Sequence, residues 1–253
     1  MLSAPVDFLK QHLTATNLFA LTVLVMIFGH AADYFYEEEN ALRMLDRMFV
    51  PVFLVSVGYN VGRKVEPLLW GGALFVVIVN YLLFNELFIN ILGTIVVVRL
   101  IIEPLMKLLI KNKEVFWAGT VFLVIMYPFT GFWLEYGTIA LIMAMAGWIN
   151  RNQSEMPEGI TSVKAFFIFT WLAYLGGTAL NFGFTLPQLL LVAAGSAVIM
   201  ALLYDLRTLL MNSIRNRPRD AVGKTAGFIG HKSLEIYVIH VVAFKALLFY
   251  AVN

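Results

Sequence analysis

The sequence predicts an all-α protein, a polytopic membrane helix bundle. Hydrophobic residues make up 60% of the 253 residues and only 13% are charged, whereas soluble domains are about half apolar and about a quarter charged. The mean hydropathy is +0.82, and a soluble chain of this size cannot hide so much apolar surface. The apolar stretches are continuous, which is typical of membrane helices. This composition excludes a soluble enzyme, a disordered chain and a nucleic-acid-binding protein.

Nine apolar stretches are candidate membrane spans. A helix needs about 20 residues to cross a hydrocarbon core of about 30 Å, and the second and sixth stretches are the shortest. No internal repeat and no second domain is visible, so residues 1–253 are expected to form one integral membrane domain. The predicted spans lie near 15–35, 47–63, 67–84, 87–107, 115–133, 136–150, 163–182, 186–206 and 231–251.

The first two spans need separate justification. The first has an apolar run from Leu18 to Phe28 followed by small residues around His30, which resembles a signal peptide, but we expect a retained helix. The second opens at Arg47, and this start places Pro51 in the first helical turn, where proline is tolerated best.

The third, seventh and eighth spans contain or adjoin small residues that favour close approach of helices. These glycines are Gly71, Gly72, Gly176, Gly177, Gly183 and Gly195. Between the eighth and ninth spans, 207–230 is the longest polar segment, and it contains the basic cluster 215–219. The cluster is either a topology anchor that touches anionic lipid or a binding site for a phosphate-rich cytosolic cofactor.

The distribution of basic residues predicts an orientation. Alternate loops hold 13 of the 18 Lys and Arg residues. Because basic residues favour the cytoplasmic side, the N-terminus is expected in the cytoplasm and the C-terminus outside. The alternation also favours nine spans. The 13 residues are Arg63, Lys64, Lys107, Lys111, Lys113, Arg151, Lys164, Arg207, Arg215, Arg217, Arg219, Lys224 and Lys232.

Ionisable groups inside a membrane are costly, so each is a candidate functional residue. His30 is followed by Asp33 three residues later, on the same helix face. A carboxylate there can hold one ring nitrogen and leave the other as a base. The alternative is a structural hydrogen bond at the interface.

Other candidates also have two interpretations. His240 in the last span is a core histidine or a functional one. Arg99 forms a helical pair with Glu103, or it contacts a phosphate or carboxylate inside the bundle. Arg47 marks the outer interface or contributes to a site, and Glu135 is solvated or binds substrate.

Several kinds of site are not expected. The chain has no cysteine and only four histidines, which share no spacing, so neither a metal site nor thiolate chemistry is predicted. Phosphate-binding glycine loops and serine-hydrolase motifs do not occur.

The chain resembles the TraX family. The resemblance rests on His30, on the segments 46–53 and 58–60, on 135–138, and on 233–240, which ends at His240. TraX proteins are bacterial inner-membrane proteins linked to N-terminal acetylation of pilin subunits in conjugation, and they are similar to the acyltransferase-three superfamily. The chain departs from the pattern at Gly29, where the family often has Asp, and at Phe19, where the superfamily often has Arg.

The resemblance implies site residues and a function. It implies His30, Asp33 and Arg47 as catalytic, with Asp33 replacing the missing carboxylate, and Tyr59, Asn60, Glu135 and His240 as substrate-binding. The implied function is acetyl transfer from cytosolic acetyl-CoA to an acceptor such as a pilin N-terminus or a glycan. The alternatives are a transporter or a non-catalytic subunit of a membrane protein complex. The basic residues expected at acetyl-CoA are Arg63, Lys64, Arg99, Arg215, Arg217 and Arg219.

Overall fold

A computed structural model describes residues 13–36, 40–60, 65–215 and 221–252. Over these residues the all-α expectation is confirmed, with an isolated bridge between Ile89 and Leu134 in place of any strand. The described helices are α1 Ala15–Phe35, α2 Asn40–Tyr59, α3 Pro67–Phe84, α4 Ile91–Leu109, α5 Lys113–Thr130, α6 Gly137–Arg151, α7 Val163–Phe182, α8 Leu186–Tyr204, α9 Leu206–Arg215, α10 Ala221–His231 and α11 Ser233–Val252.

Short polar side chains determine where several helices begin. The Thr14 hydroxyl accepts from the Asn17 amide at 3.1 Å before α1. The side chains of Asn90, Asn112 and Ser162 accept from first-turn amides of α4, α5 and α7 in the same way. Each cap satisfies an amide that has no partner inside the helix.

Five of the helices in the described residues are long and apolar enough to cross a membrane. Their outward side chains include Leu82, Leu180 and Ile239, which are 72%, 72% and 68% exposed. Such large exposed apolar side chains are stable only in a nonpolar solvent, so the transmembrane character follows from the structure as well. The five are Ala15–Phe35, Pro67–Phe84, Val163–Phe182, Leu186–Tyr204 and Ser233–Ala251.

The other four predicted spans also contain helices, but these are shorter or more charged. Helix α6 has 15 residues, a length of about 22 Å, and its residues from Ile139 to Asn150 are all buried. Helices α2 and α4 each carry at least three charged residues, and α5 begins with Lys113 and Glu114. The count of nine spans remains a prediction.

Helix α2 begins earlier than predicted, at Asn40. The expectation that Pro51 lies in its first turn is wrong, because Pro51 is inside the helix. The polar segment before Arg47 is helical because Arg43 and Arg47, one turn apart, both bind Asp33 of α1. The pattern of apolar residues could not reveal this polar first half.

The polar segment 207–230 also differs from the expectation of a long loop. Most of it is helical: α9 ends at the first residue of the basic cluster, and α10 begins after the cluster in the sequence. Leu206 and Leu209 of α9 are fully buried, and the Ser213 hydroxyl accepts from the Thr16 amide of α1 at 3.3 Å. Burial of one short apolar face stabilises a helix that is too polar to be a span.

The chain divides into two compact units. Unit one comprises the described residues of Met1–Phe53 and Thr185–Asn253, and unit two comprises Leu54–Phe184. In unit one, α9, α10 and α11 pack against α1. In unit two, α6 is the buried helix, and α4, α5 and α7 pack against it. The single integral membrane domain over residues 1–253 remains a prediction.

Glycines allow close contacts between helices, but the glycines at the tightest crossing are not among those expected from the sequence. A Cβ atom added at Gly58 would overlap the Ala144 carbonyl oxygen, and one at Gly147 would overlap the Val55 carbonyl oxygen. These two glycines therefore bring α2 and α6 together in unit two. Among the expected glycines, Gly177 and Gly195 also make close contacts with Tyr127 and Met48. Added Cβ atoms at the other three characterised glycines would meet nothing within 4 Å: Gly71, Gly176 and Gly183.

Candidate functional site

Two histidines form the centre of the candidate site in unit one. The Nδ1 atom of His30 on α1 lies 2.8 Å from the Nε2 atom of His240 on α11. The two ring planes differ by 21°, so this hydrogen bond runs close to both ring planes. His240 is 8% exposed, and its Nδ1 lies 2.6 Å from the Ile236 carbonyl oxygen one turn earlier.

The hydrogen-bond network assigns the tautomers of this pair. A carbonyl oxygen only accepts, so Nδ1 of His240 carries the hydrogen and donates to Ile236. In the neutral ring Nε2 of His240 then accepts, and Nδ1 of His30 donates to it. The Nε2 atom of His30 keeps its lone pair and has no hydrogen-bond partner among the described residues. The arrangement therefore provides an oriented imidazole base.

Aromatic rings surround the histidine pair. Tyr237 packs edge-on against both histidines, with ring centroids 5.6 Å away from each. Tyr34 lies 6.5 Å from His30, and Phe244 lies 5.6 Å from His240. These contacts hold both imidazoles in a largely apolar environment, where an electrostatic interaction is stronger than in water.

Asp33 does not orient His30, which corrects the expected role. Its carboxylate accepts instead from the Arg43 Nε at 2.7 Å and from the Arg47 Nη2 at 3.1 Å. Asp33 lies in the last turn of α1, within reach of both guanidinium groups of α2. Hydrogen bonds between two charged groups are stronger than a bond to neutral imidazole, so Asp33 pairs with the arginines.

Asp46 is a site residue that the sequence reasoning did not select. It is 4% exposed, and its carboxylate lies 3.2 Å from Nη1 of Arg47. Arg47 is itself 6% exposed, so its buried charge is balanced by Asp33 and Asp46. A Cβ atom added at Gly29 would overlap Asp46. The departure at Gly29 thus provides the space that Asp46 occupies, a relation that the sequence alone does not show.

We expect Asp33→Asn to lower the free energy of unfolding. The substitution removes the charge that holds Arg43 and Arg47, at a cost of about 1–3 kcal/mol in the free energy of unfolding. Thermal unfolding in detergent measures this loss, with exposed Glu66→Gln as the matched control. Equal melting temperatures for the two variants would contradict the structural role of Asp33.

Glu135 caps a helix, a contact that the sequence did not predict. Its Oε2 accepts from the Ile91 amide at the start of α4 at 2.7 Å, and its carbonyl oxygen accepts from the Thr94 hydroxyl at 2.9 Å. A carboxylate at a helix N-terminus satisfies an unpaired amide and interacts favourably with the helix dipole. In the structure, Glu135 thus joins α4 to the turn before α6.

We expect Glu135→Ala to lower the free energy of unfolding by about 1–2 kcal/mol, because the Ile91 amide loses its acceptor and the α4 N-terminus loses a negative charge, although Asn90 still caps the next two amides. The same substitution at the exposed Glu86 is the control and should have little effect. Thermal unfolding of both variants in one detergent measures the difference. If Glu135→Ala has the same melting temperature as wild type, the contact between Glu135 and Ile91 does not stabilise α4.

The remaining expected site residues that the structure describes lie in unit two, and each makes contacts other than those of the histidine pair. The Tyr59 carbonyl accepts from Nη1 of Arg151 at 3.0 Å, and the Asn60 side chain donates to the Ser56 carbonyl at 3.0 Å. Both contacts lie at the C-terminal end of α2. Arg99 is half-buried on α4, whereas Glu103 is exposed.

The residues expected to bind acetyl-CoA are mostly outside the described part of the chain. Arg63, Lys64, Arg217 and Arg219 lie outside it, and Arg215 ends α9 with its side chain not described. The described residues contain no group of three or more metal-binding side chains.

The functional assignment therefore depends on the chemistry of the histidine pair and the charges beside it. No protein-family model, no curated protein and no solved structure matches this chain.

Proposed function

We propose that this protein is a membrane acyltransferase that moves an acetyl group from acetyl-CoA to an amine or hydroxyl acceptor. The observation that carries the proposal is the oriented His30–His240 pair, which leaves Nε2 of His30 as a base inside a candidate span. A general base is what an acceptor needs when it attacks a thioester. The sequence resemblance to TraX proteins agrees with this chemistry.

The proposed reaction uses His30 as the proton carrier. The acceptor nitrogen or oxygen attacks the thioester carbonyl carbon, and Nε2 of His30 takes the acceptor proton. The carbon–sulfur bond then breaks, and the same proton passes to the leaving CoA thiolate. The imidazolium that forms donates through Nδ1 to His240, so the second histidine stabilises the charge.

Arg47 is the proposed stabiliser of developing negative charge on the thioester oxygen. It is a buried guanidinium, and preorganised cationic donors stabilise an oxyanion more strongly than water does. Asp33 and Asp46 hold Arg47 in position. In this proposal the basic residues of 63–64 and 215–219 bind the CoA phosphates.

The proposal includes a topology and an acceptor. The nine-span arrangement, with a cytoplasmic N-terminus and an external C-terminus, would place the thioester donor and the acceptor on opposite sides of a bacterial inner membrane. A pilin N-terminus is an attractive acceptor because it is exposed externally after leader cleavage. This choice rests on the sequence resemblance alone.

Reconstituted protein tests the function directly. Liposomes that hold the purified protein receive acetyl-labelled acetyl-CoA and a panel of acceptors, including a pilin N-terminal peptide and a glycan. Protein-free liposomes are the control. Protein-dependent transfer of label to one acceptor is the expected result. The enzyme proposal would be overturned if the protein showed neither saturable acetyl-CoA binding nor acetyl transfer.

The same liposomes test the second candidate function, a proton or substrate transporter. A hydrogen-bonded pair of histidines inside candidate spans is also what a proton path uses. A pH-sensitive dye enclosed in the liposomes reports proton flux under an imposed pH gradient. Proton flux without acetyl transfer would favour the transporter. The absence of both proton flux and acetyl transfer would favour an assembly subunit.

A further inference from the structure

Helix α9 begins where a candidate span ends. Helix α8 ends at Tyr204 and α9 starts at Leu206, with Asp205 between them. The Asp205 amide donates to the Leu202 carbonyl at 3.1 Å, and the Asp205 carbonyl accepts from the Thr208 amide at 2.8 Å. The chain therefore starts a second helix immediately at the end of a candidate span, and the end of a span is where the lipid headgroups lie.

One face of α9 packs on the protein. Leu206 and Leu209 are 1% and 0% exposed. Ser213, on the same side of the helix, accepts from the Thr16 amide at the start of α1. This contact fixes the rotation of α9 about its own axis, so the direction of every other side chain follows from it.

The opposite face of α9 is mixed: the exposed Arg207 lies between Ile214 and Met211, about 20° from the first and about 40° from the second around the helix. Met211 and Ile214 are 61% and 66% exposed, although both are apolar. Thr208, about 60° further around the helix from Met211, is exposed as well. A short helix with one side on the protein and exposed apolar residues around an arginine fits a helix that lies in the membrane surface, because a long arginine side chain can extend to the headgroups.

The charged residues of α9 and of the sequence up to Arg219 are all basic, and Asp220 comes next. Arg207 is exposed on the helix. Arg215 is its last residue, and Arg217 and Arg219 follow directly in the sequence. Basic residues beside an apolar flank are complementary to anionic phospholipid headgroups, because the apolar side chains enter the lipid while the charges remain at the phosphates.

We propose that α9 is a membrane-surface helix that binds anionic phospholipid. Met211 and Ile214 enter the acyl-chain region, and the exposed Arg207 reaches the headgroup phosphates. The proposal does not depend on the acetyl-transfer function, and it assigns the exposed side of α9 to lipid.

Spin-label depth measurements test the insertion. The chain contains no cysteine, so Met211→Cys, Ile214→Cys and Thr208→Cys each give one labelling site at an exposed position. In vesicles of phosphatidylcholine and phosphatidylglycerol, labels at 211 and 214 should be accessible to oxygen and shielded from a water-soluble nickel complex. The label at 208 should show the reverse. Nickel access at 211 and 214 equal to that at 208 would overturn the insertion.

A lipid competition measures the headgroup contact. Spin-labelled phosphatidylglycerol should associate with wild type in preference to spin-labelled phosphatidylcholine. The Arg207→Gln variant should lose this preference by up to about fivefold. An unchanged preference would overturn the headgroup contact.

The depth variants also exclude another occupant. If a second copy of the chain covers this face, labels at 211 and 214 will broaden one another through dipolar coupling, and dilution with unlabelled protein will remove the broadening. That result would overturn lipid as the occupant. Sharp, dilution-independent spectra with oxygen access support it.

Discussion

His30→Gln is expected to lower the rate of acetyl transfer by about 10²–10⁴-fold, the usual effect of removing a general base. Glutamine retains an N–H group that can donate to His240, but it has no nitrogen that accepts a proton near neutral pH. The fold is therefore expected to survive while the chemistry is lost. Transfer of labelled acetyl groups in liposomes measures the change, and the melting temperature checks folding.

The matched control for this prediction is His231→Gln. His231 is an exposed histidine at the end of α10, and its loss should leave transfer near the wild-type rate. Transfer by a folded His30→Gln variant at the rate of His231→Gln would contradict the role of His30. A loss that appears only together with a lower melting temperature would indicate a structural effect.

A comparison with His240→Gln separates the two histidines of the pair. His240 acts on His30 through one hydrogen bond and fixes its tautomer, so it is a positioning residue. Its loss is therefore expected to lower the transfer rate less than the loss of the base His30. The pH dependence of transfer should also shift in this variant, because His30 loses the ring that stabilises its charged form. A merely structural role would not change the pH profile.

The second large effect is expected at the crossing of α2 and α6. Gly58→Ala and Gly147→Ala each place a methyl group on a backbone carbonyl of the facing helix. Backbone cannot move aside as a flexible side chain can, so each variant should lose about 3 kcal/mol or more of unfolding free energy. Thermal unfolding and size-exclusion profiles in detergent measure the loss.

Two other glycines provide matched controls for this prediction. Gly71 of α3 and Gly176 of α7 have open space at the Cβ position. Because alanine favours a helix more than glycine does, Gly71→Ala and Gly176→Ala should be neutral or slightly stabilising, by up to about 1 kcal/mol. If all four variants melt alike, the α2–α6 contact does not depend on the missing side chains.

Much of the fold followed from local sequence. The continuous apolar stretches predicted α1, α3, α7, α8 and α11 within a few residues of their observed bounds. Helices with polar or charged halves were less predictable. Arg43 and Arg47 lengthen α2 because Asp33 of another helix pairs with them, and α9 is stabilised by burial of Leu206 and Leu209.

The candidate site could be predicted only in part from the sequence. His30 and His240 were selected because ionisable groups inside apolar helices are costly, but 210 residues separate them. Nothing in the spacing indicated that they form one pair. Asp33 was assigned to His30 because it lies one turn away, and Asp46 was not selected because its neighbour Gly29 gave no sign of the contact.

By itself the sequence determined the all-α class, the membrane character and the identity of the unusual buried residues. These depend on composition and on the helical period, which act within one segment of chain. Only the tertiary structure decided which groups pair: His30 with His240, Asp33 with the arginines of α2, and Glu135 with the amide of Ile91. Pairing depends on which helices lie side by side, because a hydrogen bond forms only within about 3 Å. Spacing along one helix cannot supply that information.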